Sequence, residues 1–287
     1  MPAPLDNTSV FIALVALLGL FIGSFLNVLI VRLPVMMERE WQAEMAEFRG
    51  EAADGGERFN LLTPRSRCPH CGHMISALEN IPLVSYLFLR GRCRHCKAGI
   101  SYRYPLVEFL TAALSACVAL RFGYSMATAG ALVFVWIMIA LAFIDFDTRL
   151  LPDSLTLPLL WMGLVFNLKT GNIPLEDAVI GAVAGYLFLW SVYWLFKIVT
   201  GKEGMGHGDF KLLAAIGAWL GWQILPLTIV LASVAGAVFG IALVMLGRHR
   251  RSTPMPFGPF LAIAGLLALF QGEAFSTFLP IFSPTVP

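Results

Sequence analysis

Asp209 stands in Gly206-His207-Gly208-Asp209-Phe210-Lys211, and Asp145 in Ile144-Asp145-Phe146-Asp147, each at the edge of a strongly apolar stretch. Ionisable groups at membrane depth are costly to keep, so each is a functional candidate by default. Two carboxylates that can approach one another can divide acid and base roles: the ionised one activates water, and the protonated one polarises a carbonyl and later protonates the departing amine. Side by side they cannot both ionise easily, so the pair retains a proton near neutral pH. The chemistry this predicts is aspartyl proteolysis. No H-E-x-x-H zinc-protease motif and no Ser/His/Asp or Cys/His constellation competes with it.

The two aspartates differ in how much their surroundings say. Gly201, Gly204, Gly206 and Gly208 crowd the approach to Asp209, and repeated glycine lets backbone come close to a partner helix or an extended peptide. A phosphate-cradling loop would need a Gly-Lys-Ser/Thr sequence, which does not follow. Asp145 directly follows the apolar run 133–144 and is expected at a helix end facing the bundle. An interfacial loop with several solvated or capping aspartates reads that segment equally well. Within it Asp153 is expected as the N-cap after Pro152, and Asp147 as solvated or paired with Arg149. Lys211 either snorkels to headgroups or pairs with a carboxylate, and His207 is expected on the surface of a loop. Glu108, within an apolar run, is structural, substrate-facing or interfacial.

A second constellation is Cys68-Pro69-His70-Cys71 and Cys93-Arg94-His95-Cys96, two CxxC pairs with 21 residues between them. Each CxxC turn presents two sulfurs to one cation, and two such turns complete a tetrahedral shell typical of structural zinc. Replacement of one sulfur by His70, His73 or His95 is the variant of that reading. Paired disulfides and a redox CxxC are the alternatives, the first disfavoured if the loop lies in a reducing compartment. A closed shell of Cys68, Cys71, Cys93 and Cys96 leaves no open coordination position, so the metal would be structural. Cys117 reads as a packed small apolar residue.

The elements that must position these groups are membrane helices. The 287 residues are 58% hydrophobic and 13% charged, with mean hydropathy +0.77, about half the charged fraction of ordinary soluble domains. The net charge of +2 gives no case for nucleic acid. Apolar runs at 9–31, 105–121, 125–144, 154–168, 176–199, 210–221, 223–246 and 257–281 predict an all-α polytopic membrane protein with about eight transmembrane helices; seven result if the sixth and seventh merge. The first run is too long for a signal peptide and reads as a retained span. The expected division is a first helix (1–31), a cytoplasmic cysteine loop (32–104) and a multi-helix core (105–287). With that loop inside, all but Arg121 and Lys169 of the 20 lysines and arginines fall on the cytoplasmic side. Two crossings then separate Asp145 from Asp209 and bring both to the cytoplasmic surface. Residues 38–58 are expected to begin as helix and end in a flexible turn around Asp54-Gly55-Gly56.

Taken with Gly23-Ser24-Phe25-Leu26-Asn27-Val28, Arg32-Leu33-Pro34, Glu79-Asn80-Ile81-Pro82-Leu83-Val84-Ser85-Tyr86, Tyr102-Arg103-Tyr104-Pro105-Leu106-Val107-Glu108, Leu151-Pro152-Asp153 and Pro256-Phe257-Gly258-Pro259, these motifs run in an order that covers nearly the whole chain. The chain resembles the bifunctional type IV prepilin leader peptidases/N-methyltransferases of bacteria, among the GxGD aspartyl proteases. The resemblance implies that Asp145 and Asp209 are the catalytic pair. It also implies cleavage of prepilins and pseudopilins after a glycine at the cytoplasmic face of the inner membrane, then methylation of the new N-terminal residue from S-adenosylmethionine. No glycine-rich nucleotide fingerprint marks a donor site, so methylation rests on the resemblance alone. A proton-coupled transporter would call for internal repeat symmetry, and a non-enzymatic scaffold would tolerate Asp→Asn changes.

Overall fold

The computed structural model describes residues 7–50, 59–76, 78–246 and 255–278, with side chains up to 271. Arg248, Arg250, Arg251 and the turn expected at 54–56 lie outside the described residues. The helices are α1 (Asn7–Phe48), α2 (Val84–Phe88), α3 (Arg103–Phe122), α4 (Met126–Thr148), α5 (Asp153–Thr170), α6 (Leu175–Thr200), α7 (His207–Leu220), α8 (Leu225–Met245) and α9 (Gly258–Phe278). Among the described residues no strand forms beyond two isolated bridges. The chain separates into two compact units, Met1–Tyr124 and Ser125–Pro287.

Among the described residues, every predicted apolar run falls on a helix. Five are long and apolar enough to cross a membrane: α1, α3, α4, α6 and the stretch Trp222–Met245 that contains α8. By the same measure α5 and α7 fall short in length or hydropathy, and the part of α9 with described side chains is the apolar stretch Gly258–Gln271. The chain is an all-helical, multi-pass membrane protein. Its outward faces agree, since Leu14, Leu17, Phe21 and Phe25 on α1 and Val230, Val234, Val238 and Ile241 on α8 are all exposed, which suits lipid rather than water.

In the first unit, the expected first span and the charged helix after it are one element. At 1.5 Å per residue, 42 residues reach about 63 Å, twice the hydrocarbon thickness. Pro34 lies inside this helix. Gly19 and Gly23 let α1 pack directly on α3: a Cβ on Gly19 would lie 2.7 Å from Ser115 Oγ, and one on Gly23 2.7 Å from Glu108 Cα. This is the small-xxx-small solution for helices that gain nothing from hiding apolar surface from lipid. Thr111 and Ser115 turn their hydroxyls back to the carbonyls of Val107 and Thr111, which satisfies them inside the contact. Cys117 is not packed as expected; it is exposed on α3.

The second unit is built around α7. Though only 14 residues long, it is buried from Asp209 to Trp219 except at Lys211, as a helix apolar on all sides must be. Gly181 and Gly185 of α6 admit it at backbone distance, with a Gly181 Cβ falling 2.5 Å from the Gly217 carbonyl oxygen. The far end is tied by Asn167 on α5, whose Nδ2 donates to the carbonyls of Ala218 and Trp219 at 2.9 and 3.2 Å. Trp219 in turn donates from Nε1 to the Leu159 carbonyl at 2.8 Å. The Asn167 bonds satisfy carbonyls of the last turn of α7, which have no partner within the helix. The start of α7 is therefore held in a fixed place.

Candidate active site and metal centre

Within the second unit, helix ends converge on the two aspartates. Asp145 occupies the last turn of α4, 4% exposed, and the helix stops four residues later at Arg149, in the left-handed region with φ 59°. The Arg149 N–H donates to the Asp145 carbonyl at 2.8 Å. Asp209 occupies the third position of α7, 6% exposed, behind Gly206 as N-cap. From there its carboxyl folds back to the Gly206 backbone N–H, as the acid of a capping box does. An anion in the first turn is also favoured by the helix dipole. The carboxyls lie close enough for the charge of Asp145 to act on Asp209. One oxygen of each, Asp145 Oδ2 and Asp209 Oδ1, is buried without a hydrogen bond. Buried polar atoms are nearly always paired, so these two unpartnered oxygens make the pair a candidate site.

Two residues close this arrangement, and neither had a physical role assigned from sequence. Gly258 begins α9 against Asp145, where a Cβ would lie 2.6 Å from Oδ2. Leu151 fills the space between two glycines: a Cβ on Gly208 would lie 2.6 Å from Leu151 Cβ, and one on Gly258 3.2 Å from Leu151 Cδ1. Only the run Pro256-Phe257-Gly258-Pro259 hinted at a close approach in the sequence. Asp153 does not cap α5. Pro152 takes that position, and the Asp153 carboxylate instead receives Lys211 Nζ at 2.6 Å, the second of the two roles expected for the lysine. That bridge and Leu151 fasten the 149–153 turn to the start of α7. His207 is exposed, its ring against Tyr193 and Phe210. Asp147 is exposed.

In the first unit, the two CxxC turns are copies of one structure offset by 25 residues. Cys68 and Cys93 donate their N–H groups to the carbonyls of His73 and Ala98, and accept from Gly72 and Lys97. The bridges Arg67–Met74 and Arg92–Gly99 close both turns. The four sulfurs lie within 4.8 Å of one another, with Cys68–Cys96 and Cys71–Cys93 at 3.8 and 4.0 Å. A tetrahedral shell with metal–sulfur bonds of about 2.3 Å has sulfur–sulfur edges of about 3.8 Å, so the set fits a metal. No disulfide joins Cys68, Cys71, Cys93 and Cys96 in this structure, and the convergence of all four sulfurs favours a shared metal over two separate bridges. None of the three histidines joins the set; His73 stacks on His95 and sits 3.8 Å from Glu79. Backbone N–H groups of Cys71 and His70 pull the Cys68 thiol down to about 6, toward the thiolate a metal requires, while burial and the neighbouring thiols push Cys71 up to about 12.

Residues 17–122 match the model of the bacterial peptidase A24 N-terminal domain, and residues 132–241 that of the type IV leader peptidase family. The chain is 60% identical over 267 residues to a prepilin leader peptidase/N-methyltransferase of Aeromonas salmonicida (strain A449), covering 92% of each. It is 57% identical to the protein of that name from Stutzerimonas stutzeri, with 93% of each covered. For the one from Burkholderia pseudomallei (strain K96243) the identity is 52%, over 93% of this chain and 88% of the relative. No solved structure gives a significant match. Across both units, and at more than half identity over nine-tenths of its length, the chain belongs to the prepilin leader peptidase/N-methyltransferase family, enzymes that are at once peptidase and methyltransferase.

Proposed function

We propose that this protein crosses the bacterial inner membrane eight times and removes the short basic leader of type IV prepilins and type II secretion pseudopilins. Cleavage follows a glycine at the cytoplasmic face, with Asp145 and Asp209 as the catalytic pair. The observation that carries this reading is the pair itself: two buried carboxyls within reach of each other's charge, each with an unpartnered oxygen. A dyad of this kind shares one proton. The ionised member takes a proton from water as the water oxygen bonds to the scissile carbonyl carbon, and the protonated member donates to the carbonyl oxygen. When the carbon–nitrogen bond breaks, a proton passes to the departing amine and the dyad returns to its starting state. The cytoplasmic placement suits a substrate whose charged leader stays inside while its apolar helix remains in the bilayer.

The second activity methylates the newly freed N-terminal amine, with S-adenosylmethionine supplying an electrophilic methyl group. The amine nitrogen forms the new bond to carbon as the carbon–sulfur bond breaks with its electron pair to sulfur, and the nitrogen sheds a proton to water. Zinc held by Cys68, Cys71, Cys93 and Cys96 would fix the fold of the cytoplasmic loop and take no part in chemistry, since all four positions are filled by sulfur.

The test is cleavage of a prepilin-type substrate in membranes by wild type, Asp145→Asn and Asp209→Asn at matched expression and zinc content. Both variants should lose at least about a thousandfold, since neither amide can accept or shuttle the proton. Full cleavage by either removes that aspartate from the chemistry and directs attention to Asp147, Asp153 and Glu108.

A further inference from the structure

The first unit holds a half-open cavity of about 520 Å³ whose wall runs from Asn27 and Glu108 on the helices to Pro69 and His70 of the first cysteine turn. Small-molecule sites occupy roughly 300–1,000 Å³. Its charged groups are unequally satisfied. Arg32 spends its guanidinium on the carbonyls of Asn60, Leu61 and Pro64, and Arg67 and Arg94 are exposed. Glu79 accepts from the Ser76 N–H and hydroxyl at 2.9 and 2.8 Å and faces His73. Glu108 is different. It is 9% exposed and is met by the Leu83 N–H at 2.8 Å and the Ser24 hydroxyl, with no cationic partner among the described residues.

The donor to Glu108 is itself unusual. Leu83 has φ 56°, and the Val84 N–H closes onto the Pro82 carbonyl at 2.6 Å, a tight three-residue turn about a left-handed leucine. That conformation is rare and strained for a residue with a side chain, and such strain gathers at ligand clamps. A buried carboxylate without a counter-ion is costly to keep unless a cation arrives to pair with it. Tyr86 and Tyr104 also line this wall, and aromatic rings favour alkylated cations.

We propose that this cavity is the S-adenosylmethionine site and that Glu108 faces the sulfonium. The proposal rests on the methyltransferase reading above. It also explains turnover: loss of the methyl group leaves a neutral thioether, and the attraction that held the donor disappears. Glu108 is thereby a specificity residue for the charged donor over its spent form.

The test is equilibrium binding of S-adenosylmethionine and S-adenosylhomocysteine to zinc-loaded, full-length protein in nanodiscs. Wild type should prefer the sulfonium by about tenfold, the usual worth of a charge-assisted contact. Glu108→Gln still accepts the Leu83 N–H through its amide oxygen. It should bring the ratio of the two affinities toward one by weakening the sulfonium ligand, with the thioether within twofold of wild type. Val28→Phe, which fills the cavity from α1, should weaken both ligands. An unchanged ratio in Glu108→Gln overturns the role of Glu108, and unchanged binding in Val28→Phe overturns the cavity; should Glu108→Gln lose zinc, Val28→Phe decides alone. Methyl transfer by wild type with variants that bind normally rejects the cavity only. Wild type that neither binds the donor nor methylates rejects the methyltransferase reading with it.

Discussion

Gly258→Ala isolates the geometry of the proposed dyad from its chemistry, because it removes no functional group. The added Cβ would lie 2.6 Å from Asp145 Oδ2, and ordinary contact begins near 3.4 Å, so something must yield by about 0.8 Å. Leu151 cannot give way easily, since it already fills the space between Gly258 and Gly208. The carboxyl of Asp145 moves instead. A displacement approaching 1 Å in a catalytic group costs about a hundredfold, or ~2.7 kcal/mol in the barrier. Stability should hardly fall, since alanine is the better helix former and position 258 is the first residue of α9. The assay is prepilin cleavage in membranes, read alongside methylation of an already cleaved substrate and the midpoint of thermal unfolding. Cleavage should fall about a hundredfold while methylation and the midpoint stay near wild type. Cleavage within about threefold of wild type would refute the reasoning, and equal loss of both activities would mean general damage to the fold.

Two further changes, one with a control beside it, probe the supports. Cys71→Ser removes one of four sulfurs and should abolish zinc retention against a mild chelator, whereas Cys117→Ser, exposed on α3, should leave metal content unchanged. Asn167→Leu deprives the last turn of α7 of its buried donor; a cost of about 1–3 kcal/mol is expected, read as a lowered unfolding midpoint.

What the sequence made legible follows the physics of each signal. Apolar runs set the helices because length and hydropathy act locally, so each of the eight expected stretches falls on a helix among the described residues. CxxC spacing is equally local, since each turn fixes its two sulfurs, and only their mutual approach had to await the fold. The sixth run was ambiguous from sequence because α7 is short, and composition cannot separate a short span from a helix buried in protein on every side. Gly258 and Leu151 were hidden for a different reason. Their contacts join residues 57 to 113 positions apart, and a glycine's sequence neighbours do not state what its missing side chain makes room for. Asp153 misled because an aspartate after proline at a helix start usually caps, and nothing local reveals a lysine 58 residues away.

The repeated cysteine turns carry their own internal control. Gly72 and Lys97 occupy equivalent places, both left-handed with φ 70° and 61°, yet only one is glycine. A side chain in this region costs about 1–2 kcal/mol, and a Cβ on Gly72 would meet nothing within 4 Å. Gly72→Ala should therefore lose about 1 kcal/mol through backbone strain alone, weakening zinc in chelator competition by about fivefold. Lys97→Gly should act in the opposite direction. Its gain is at most about 1 kcal/mol, because glycine also frees the unfolded chain. Opposite signs at two positions related by 25 residues test whether the turns share one conformation under one load. If both changes weaken zinc equally, Lys97 contributes something besides its backbone angle, and the two turns are not mechanical equivalents.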